Sequence, residues 1–369
     1  MSKNKILYYL SQISEEKIKN KSNGVSKKIS AQINFFNSIP GIKCEYVCLT
    51  LAATKIQKLF NLFSKKVYDA YLEKLSEADF IYIRAIVPNT QGMISLLKNI
   101  KKKNPSCKII YEIPTFPYDK EFDTIKKKFF LVLDRINRQK LKEAVDRIVT
   151  LTEDKNIFNI PCINFKNGVD FNSIPVCKKK AYDKNSINLI AVAQFIFGHG
   201  YERIIEGLNN YKKSNVFLHL VGNGEELKKY KKLVEKYELG NQVFFYGPLY
   251  GEELTKIFDI SDAGLCSFCG HKQQIFVTSA LKSREYLCRA LPVVTSIKID
   301  ILPDDFKYCL RVPEDDSPID IQQIVDFVTD LYSSNDRIAV TKEIRTFAEK
   351  YCSMEYAMKN VKEYIMKYK

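Results

Sequence analysis

The chain has 369 residues, 46% of them hydrophobic, which is enough material for two packed domains of ordinary size. It contains no run of about 18 apolar residues, and its start, MSKNKILYYLSQ, does not have the pattern of a secretory signal. The ten cysteines are scattered through apolar segments instead of being spaced as a disulfide framework. We therefore expect a folded cytoplasmic protein with reduced thiols, and neither an integral membrane protein nor a secreted one.

The formal net charge of +15 is distributed unevenly along the chain. Residues 1–175 contain 30 Lys and Arg against 17 Asp and Glu, whereas residues 176–369 contain 28 against 26. A basic first half is typical of a protein that meets nucleic acid, an anionic membrane or an anionic ligand. Because no nucleic-acid reader motif accompanies the charge, we expect no nucleic-acid partner and favour the other two.

Apolar strand candidates alternate with helical stretches through both halves of the chain. Strands are predicted in the first half at 5–10, 44–50, 80–86, 108–113 and 147–152. The second half has predicted strands at 187–193, 216–222, 242–247, 263–268 and 292–297, and predicted helices at 201–211, 225–237, 251–260 and 279–290. This alternation predicts parallel sheets wound with helices, so the fold class is α/β with two Rossmann-like domains facing an interdomain cleft.

A polar segment with an Asn-Gly turn signal separates the two halves: NFKNGVDFNSIPVCKKKAYDKNS. We place the domain boundary inside it, which gives domains at 1–175 and 176–352 and leaves a helix at about 353–369 that can pack back on the first domain. Ligands of open α/β sheets bind at the carboxyl ends of the strands. We therefore expect the active site between the domains.

The stretch AVAQFIFGHGYERIIEGLNNY joins a strand to a helix through Gly198, His199 and Gly200. A strand that stops at glycines and restarts as a helix directs backbone N–H groups and the positive end of the helix dipole at one point, which suits a phosphate. Most such turns in α/β proteins bind nothing, so this turn alone leaves the ligand open.

Seven stretches, in this order, resemble GT-B glycosyltransferases of the family 4 type, the group 1 glycosyltransferases of bacterial polysaccharide synthesis. They are NGVSKKISAQ, YEIPTFPYDKE, FKNGVD, AVAQFIFGHGYERIIEGL, HLVGNGEEL, VFFYGPLYGEELTKIFDISDAGLCSF and LKSREYLCRALPVV. The resemblance spans roughly the whole chain. It implies retaining transfer of a sugar from a nucleotide-sugar donor, with a UDP-sugar expected, and without a metal or other cofactor. It also implies a donor on the second domain and a glycan or polyprenyl-linked acceptor on the first.

The resemblance assigns donor contacts to the Gly-His-Gly turn. Gln194 stands where many relatives carry an arginine, and His199 stands where they carry a lysine that contacts the donor diphosphate. Arg203, one helical turn further on, could restore a cation near the phosphates because a guanidinium suits bidentate phosphate contact. The alternative is a turn histidine and a solvated helix charge.

Glu285 occupies the second position of the family's Glu-x7-Glu signature, whose carboxylate accepts hydrogen bonds from the nucleotide ribose. At the first position of this signature the chain has Val277, so the first glutamate, whose carboxylate lies near the sugar in the family, is missing. Lys282 lies three residues before Glu285 on the same predicted helical face and could neutralise the diphosphate and stabilise the leaving group. The alternative is a local ion pair between Lys282 and Glu285.

Glycines and one carboxylate complete the candidate site. Gly24 opens a predicted helix, where the family lets the backbone approach the donor phosphate or sugar, and Gly222 ends a strand in VGNGEE; either glycine could instead form only a tight turn. Glu112 ends a strand before Pro114 and Pro117, where the acceptor is expected. It could orient an acceptor hydroxyl or act as base, or it could bind neighbouring N–H groups. No protein nucleophile is expected.

Two further stretches of the sequence concern other partners, a metal ion and a membrane. CSFCGH offers Cys266, Cys269 and His271, but no second ligand pair follows at zinc spacing, so no metal site is expected. The basic run from Lys126 to Phe130 would suit an anionic bilayer and a peripheral position on the inner face of the cell membrane. The alternative is a packed helix with a solvated basic face.

Three functions remain open at this point. The first is an active glycosyltransferase. The second is a non-catalytic partner subunit related to one, which the replacements at Gln194, His199 and Val277 suggest. The third is a nucleotide-sugar epimerase, which shares the two-domain architecture.

Overall fold

The computed structural model describes residues 4–20, 23–50, 61–119, 122, 124–178, 182–333 and 337–368. The chain divides into two compact units, one of Met1–Asn167 with Met354–Lys369 and the other of Gly168–Ser353. Each unit contains a parallel β-sheet with helices, so the predicted α/β class is confirmed. None of the described helices combines the length and the hydropathy that crossing a bilayer requires.

Seven strands form the sheet of the first unit: β1 (Lys5–Ser11), β2 (Ile42–Cys48), β3 (Phe80–Arg84), β4 (Lys108–Ile113), β5 (Arg147–Thr150), β6 (Asn156–Ile157) and β7 (Ile160–Asn164). Their order is β2-β1-β3-β4-β5-β7-β6, and all neighbours are parallel except β6 and β7. The described helices of residues 4–167 are α1 (Glu15–Lys19), α2 (Gly24–Ser38), α3 (Leu72–Ser76), α4 (Gln91–Lys103) and α5 (Ile125–Arg138).

The six-stranded sheet of the second unit is parallel throughout. It contains β8 (Ile187–Gln194), β9 (Val216–Asn223), β10 (Val243–Gly247), β11 (Ala263–Leu265), β13 (Val293–Thr295) and β15 (Cys309–Arg311), in the order β10-β9-β8-β11-β13-β15. A separate parallel pair joins β12 (Val277–Thr278) to β14 (Lys298–Ile299). The described helices are α6 (Tyr201–Tyr211), α7 (Leu227–Lys236), α8 (Gly251–Ile260), α9 (Leu281–Cys288), α10 (Ile321–Ser333) and α11 (Arg337–Cys352).

Burial on both faces explains the continuous apolar runs of the strands. In β1, Leu7 and Tyr9 belong to the core on one face of the sheet, while Tyr8 and Leu10 belong to the core on the other. Because successive strand residues point to opposite faces, a sheet covered on both sides needs apolar residues at every position. The last helices of the chain, α12 (Met354–Ala357) and α13 (Lys359–Met366), join the core that contains Leu7 and Tyr9.

All ten strands predicted from the sequence are present, and α6 has the predicted bounds. The strands predicted at 263–268 and 292–297 are shorter, because each chain segment leaves the sheet to enter a loop at its carboxyl edge. Five short strands were not predicted: β6, β7, β12, β14 and β15. None exceeds five residues, so the local pattern is weak and pairing with distant segments determines the strand.

A buried histidine links three strands of the second sheet. The Nδ1 atom of His219 on β9 lies 2.9 Å from the hydroxyl of Tyr246, and its Nε2 atom lies 2.9 Å from Oδ1 of Asn188. The amide oxygen can only accept, so Nε2 donates and Nδ1 accepts from Tyr246, which is the pattern of a neutral ring. Burial lowers the pKa of His219 to about 4.

We expect the stability of the second unit to fall as the pH falls. An unfolded histidine has a pKa of about 6.5, so between pH 6.5 and pH 4 the unfolded chain takes up a proton that folded His219 does not. The resulting decrease in the free energy of unfolding approaches about 3 kcal/mol at pH 4. Chemical denaturation at pH 7.5 and pH 4.5 should show a smaller loss for His219→Gln than for the wild type. Equal losses in both proteins would contradict the assignment.

Candidate functional site

The turn between β8 and α6 depends on two glycines. Gly198 has φ +96° and Gly200 has φ +71°, and both values lie in the left-handed region that favours glycine. A Cβ on Gly200 would lie 2.7 Å from Sγ of Cys269, so a side chain would also collide with the loop after β11. The turn places the N-terminus of α6, an eleven-residue helix with a positive dipole end, at the carboxyl edge of the sheet.

A second glycine turn packs against the first. Gly222 on β9 has φ +136°, and a Cβ there would lie 1.8 Å from the carbonyl oxygen of Ala193 on β8. Phe195, the first residue after β8, donates its N–H to the Asn223 carbonyl at 2.8 Å. The close approach of two backbones therefore requires glycine at 222. A donor contact for Gly222 stays a prediction.

Lys282 and His199 both lie beside Tyr201, the first residue of α6. Nζ of Lys282 donates to the Tyr201 hydroxyl at 3.1 Å, and this hydroxyl donates to the Cys266 carbonyl at 2.9 Å. The ring centroids of His199 and Tyr201 are 5.6 Å apart. The helix α9 and the Gly-His-Gly turn thus bring an ammonium and an imidazole to the N-terminus of α6.

The protonation states of this cluster respond to burial. Loss of hydration lowers the pKa of Lys282 to about 7, and burial together with the neighbouring Lys282 charge lowers the pKa of His199 to about 3. His199 is therefore neutral at pH 7, and its buried Nδ1 has no hydrogen-bond partner among the described residues. A bound anion would favour the charged form of Lys282.

Glu285 lies one helical turn after Lys282 on α9. Its carboxylate is 3.5 Å from the Arg289 guanidinium, while Lys282 bonds to Tyr201. The local pair of Lys282 with Glu285, the alternative that the sequence allowed, is therefore not the arrangement found. The Glu285 side chain is 20% exposed, and within the described part of the chain one weak ion pair holds it, which leaves it able to accept further hydrogen bonds. The ribose contact stays a prediction.

Arg203 has a structural position within the second unit. Its guanidinium is 2% exposed and donates to the carbonyls of Phe268, Pro313 and Ser317 and to the Asp315 carboxylate. The interpretation of Arg203 as a solvated helix charge is wrong, because the side chain is buried. Its donors are used by protein acceptors, and the phosphate contact stays a prediction that these bonds do not support.

Glu112 is fully buried in the first unit. One carboxylate oxygen accepts from Lys28 at 2.9 Å and Arg84 at 2.8 Å, and the other accepts from Gln32 and Tyr82. Against the cost of burial, the two cations and these bonds lower the pKa of Glu112 to about 2, which is too low for a general base at neutral pH. The expectation that Glu112 is open to an acceptor is corrected: its contacts match the alternative, a carboxylate that binds neighbouring donors.

Gly24 is the first residue of α2, four residues before Lys28. Asn23 caps this helix through reciprocal hydrogen bonds with Ser26. The cap accounts for the helix start, and a donor contact of Gly24 stays a prediction. Sequence reasoning missed Lys28 and Arg84; the signal available was a charged residue ending the otherwise apolar strand FIYIR.

Two Rossmann-like units with glycine turns at the carboxyl edge of the second sheet define a protein of the GT-B fold. Solved glycosyltransferase structures share it over nearly the whole chain. HepE from Anabaena, in complex with UDP-glucose, is 13% identical with a TM-score of 0.61, covering 98% of this chain and 99% of that one. The lipopolysaccharide outer core galactosyltransferase WaaB is 16% identical with a TM-score of 0.59, covering 98% and 99%. At these identities the likeness shows the fold.

Sequence comparison matches part of the second unit to a family. Residues 177–296 match the family described as glycosyl transferases group 1, which confirms the resemblance seen in the second half of the chain. Protein CapJ from Staphylococcus aureus is 25% identical over 247 residues, which are 63% of this chain. The match spans 57% of the length of CapJ.

We expect Arg203→Ala to destabilise the second unit. The substitution leaves three carbonyls without their buried donor, and such losses amount to about 2 to 4 kcal/mol in total. Denaturant unfolding measures this difference. The matched control is Arg311→Ala, whose half-exposed guanidinium lies 3.9 Å from Asp304 and should matter by less than about 0.5 kcal/mol. Equal stability of the two variants would refute the structural role.

Proposed function

We propose that the chain is a glycosyltransferase that moves a sugar from a UDP-sugar to a glycan or lipid-linked acceptor in bacterial surface polysaccharide synthesis. The observation that carries the proposal is the cluster of Lys282, His199 and Tyr201 at the glycine turn before α6. A half-buried cation beside a helix N-terminus suits a diphosphate.

In this proposal the donor binds at the residues around the turn. Its diphosphate lies at Gly198–Gly200 beside Lys282, and its ribose hydroxyls donate to Glu285, about one helical turn along α9. A uridine nucleotide is proposed because HepE was solved with UDP and with UDP-glucose, and TarM from S. aureus was solved with UDP. Residues 177–296, which match the group 1 family, include both the turn and Glu285, and this match supports the same placement of the donor.

Lys282 stabilises the departing group. When the bond between the sugar and the diphosphate breaks, negative charge develops on the phosphate oxygen, and an ammonium already in position lowers the energy of that state. We propose that this cation takes the place of a metal ion. Transfer proceeds with retention, and the departing phosphate oxygen accepts the proton of the acceptor hydroxyl, so that no protein nucleophile is required.

The acceptor side is proposed to meet an anionic membrane through α5. Phe129, Val132 and Ile136 are 49%, 55% and 56% exposed, and their spacing places them on one helical face. Lys127 and Lys128 precede this apolar face and are exposed. An exposed apolar stripe flanked by lysines lies at a bilayer interface with its charges toward anionic lipid. Lys126 belongs to the same helix, but its side chain lies outside the described residues.

We expect Lys282→Ala to weaken UDP binding about tenfold or more, because a charged hydrogen bond to phosphate is lost. Uridine binding should change little, since uridine carries no phosphate. Wild-type affinity for UDP should fall as the pH rises through about 7, where free Lys282 loses its proton. Isothermal titration calorimetry from pH 6 to pH 9 measures both effects. An unchanged affinity of Lys282→Ala for UDP would rule out the diphosphate contact.

Two controls separate the parts of the site. Lys256→Ala changes an exposed lysine on α8 and should leave UDP affinity unchanged. Glu285→Ala should weaken UDP and uridine alike, by about tenfold, because both carry the ribose. Hydrolysis and transfer assays with UDP, GDP, dTDP and CMP sugars then test the reaction. Nucleotide binding without turnover would favour a non-catalytic partner, and release of a free epimerised sugar would favour an epimerase.

We expect the chain to co-sediment with vesicles that contain anionic lipid and to be released by salt, because each basic residue near such a surface contributes about 1 kcal/mol. Phe129→Ser with Ile136→Ser, or Lys127→Glu with Lys128→Glu, should abolish sedimentation. The matched control, Lys231→Glu with Lys232→Glu, alters two exposed lysines on α7 and should sediment like the wild type. Binding that ignores lipid charge or these α5 changes would remove the membrane role.

A further inference from the structure

Glu112 organises a charged cluster that the donor site does not use. Each carboxylate oxygen accepts two hydrogen bonds, from Lys28 and Arg84 on one side and from Gln32 and Tyr82 on the other. A carboxylate has about four acceptor positions, so Glu112 is fully engaged. Its role is to fix the side chains around it.

The cluster carries an excess of positive charge. Two cations, Lys28 and Arg84, share one carboxylate, and both bond to the same oxygen. Lys28 is 5% exposed and also lies over the Phe165 ring at 4.6 Å, so the protein surrounds it. The Arg84 side chain is 16% exposed. A partly buried excess charge is costly unless an anion balances it.

The position of Arg84 suits a ligand. Arg84 is the last residue of β3 and is paired in register with Glu112 near the end of β4. Lys28 comes from the second turn of α2, after β1. The excess charge therefore lies at the carboxyl edge of the central strands of the first sheet, where open α/β sheets bind ligands. The ion pair to Glu112 uses the Nη1 atom of the Arg84 guanidinium, a group that has five N–H donors.

We propose that Arg84, held in place by Glu112 and backed by Lys28, binds a phosphate group of the acceptor substrate. The inference rests on the proposed transferase function, in which the first unit receives the acceptor, and it narrows the acceptor to a phosphate-bearing one. A guanidinium matches two phosphate oxygens at once, which favours phosphate over a neutral sugar. Glu112 is then a positioning residue and not a base.

Inorganic pyrophosphate titrated into the full chain tests this subsite. In Lys282→Ala, where the donor site is weakened, pyrophosphate should still bind, and adding Arg84→Gln should reduce that affinity about tenfold or more. Adding Arg147→Gln should not reduce it, because Arg147 is the first residue of β5, at the opposite edge of the same sheet. Arg84→Lys keeps the positive charge but loses the planar, two-pronged donor geometry of the guanidinium, so it should give an intermediate affinity for pyrophosphate.

Further measurements separate the two proposals. UDP affinity of Arg84→Gln should stay within about twofold of the wild type, a difference below about 0.5 kcal/mol, and its circular dichroism spectrum should be unchanged. Failure of the wild type to bind UDP would overturn the proposed function, but it would leave the pyrophosphate subsite at Arg84 standing. Equal pyrophosphate affinity of Lys282→Ala with and without Arg84→Gln would overturn the subsite. An equal loss of UDP and pyrophosphate in Arg84→Gln would assign Arg84 to the donor instead.

Discussion

The candidate donor site depends on the buried guanidinium of Arg203. From the first turn of α6 it binds carbonyls in the loop after β11 and in the loop after β15, and so holds three segments that are far apart in sequence. A guanidinium has enough donors for several acceptors in one plane, which a lysine could not match. Fixing α6 against these loops fixes the glycine turn at its N-terminus.

In each unit a buried charged residue binds groups at the carboxyl edge of the sheet, and the two residues, Arg203 and Glu112, have opposite charges. Arg203 binds mostly neutral carbonyls, and the cation left near the turn is Lys282, with a pKa lowered by loss of hydration. Glu112 binds two cations and leaves Arg84 partly exposed. In both places the residue that holds the structure is distinct from the one available to a ligand. This division fits a site that must keep its shape with and without an anion.

The fold could be predicted from the sequence because long apolar strands alternate with amphipathic helices. The turn before α6 could be predicted as well, because the glycines on both sides of His199 permit the left-handed backbone found at both positions. The hydrogen-bond partners of Arg203 and Glu112 could not be predicted from the sequence. Arg203 donates to the carbonyls of Pro313 and Ser317, more than 100 positions away, and Glu112 on β4 accepts a hydrogen bond from Lys28 on α2. The local spacing of apolar residues predicts a helix or a strand. It does not predict which distant carbonyl or cation will contact a side chain on that helix or strand.

Uridine diphosphate is proposed to bind at the glycine turn of the second unit. Hydrogen–deuterium exchange of the full chain with and without UDP tests it directly, since backbone amides at a phosphate site exchange more slowly when it is filled. We expect slower exchange in segments 196–203 and 279–286, with β3 and β4 unchanged. Unchanged exchange at both segments in the presence of saturating UDP would contradict the claim, as would protection confined to the first unit.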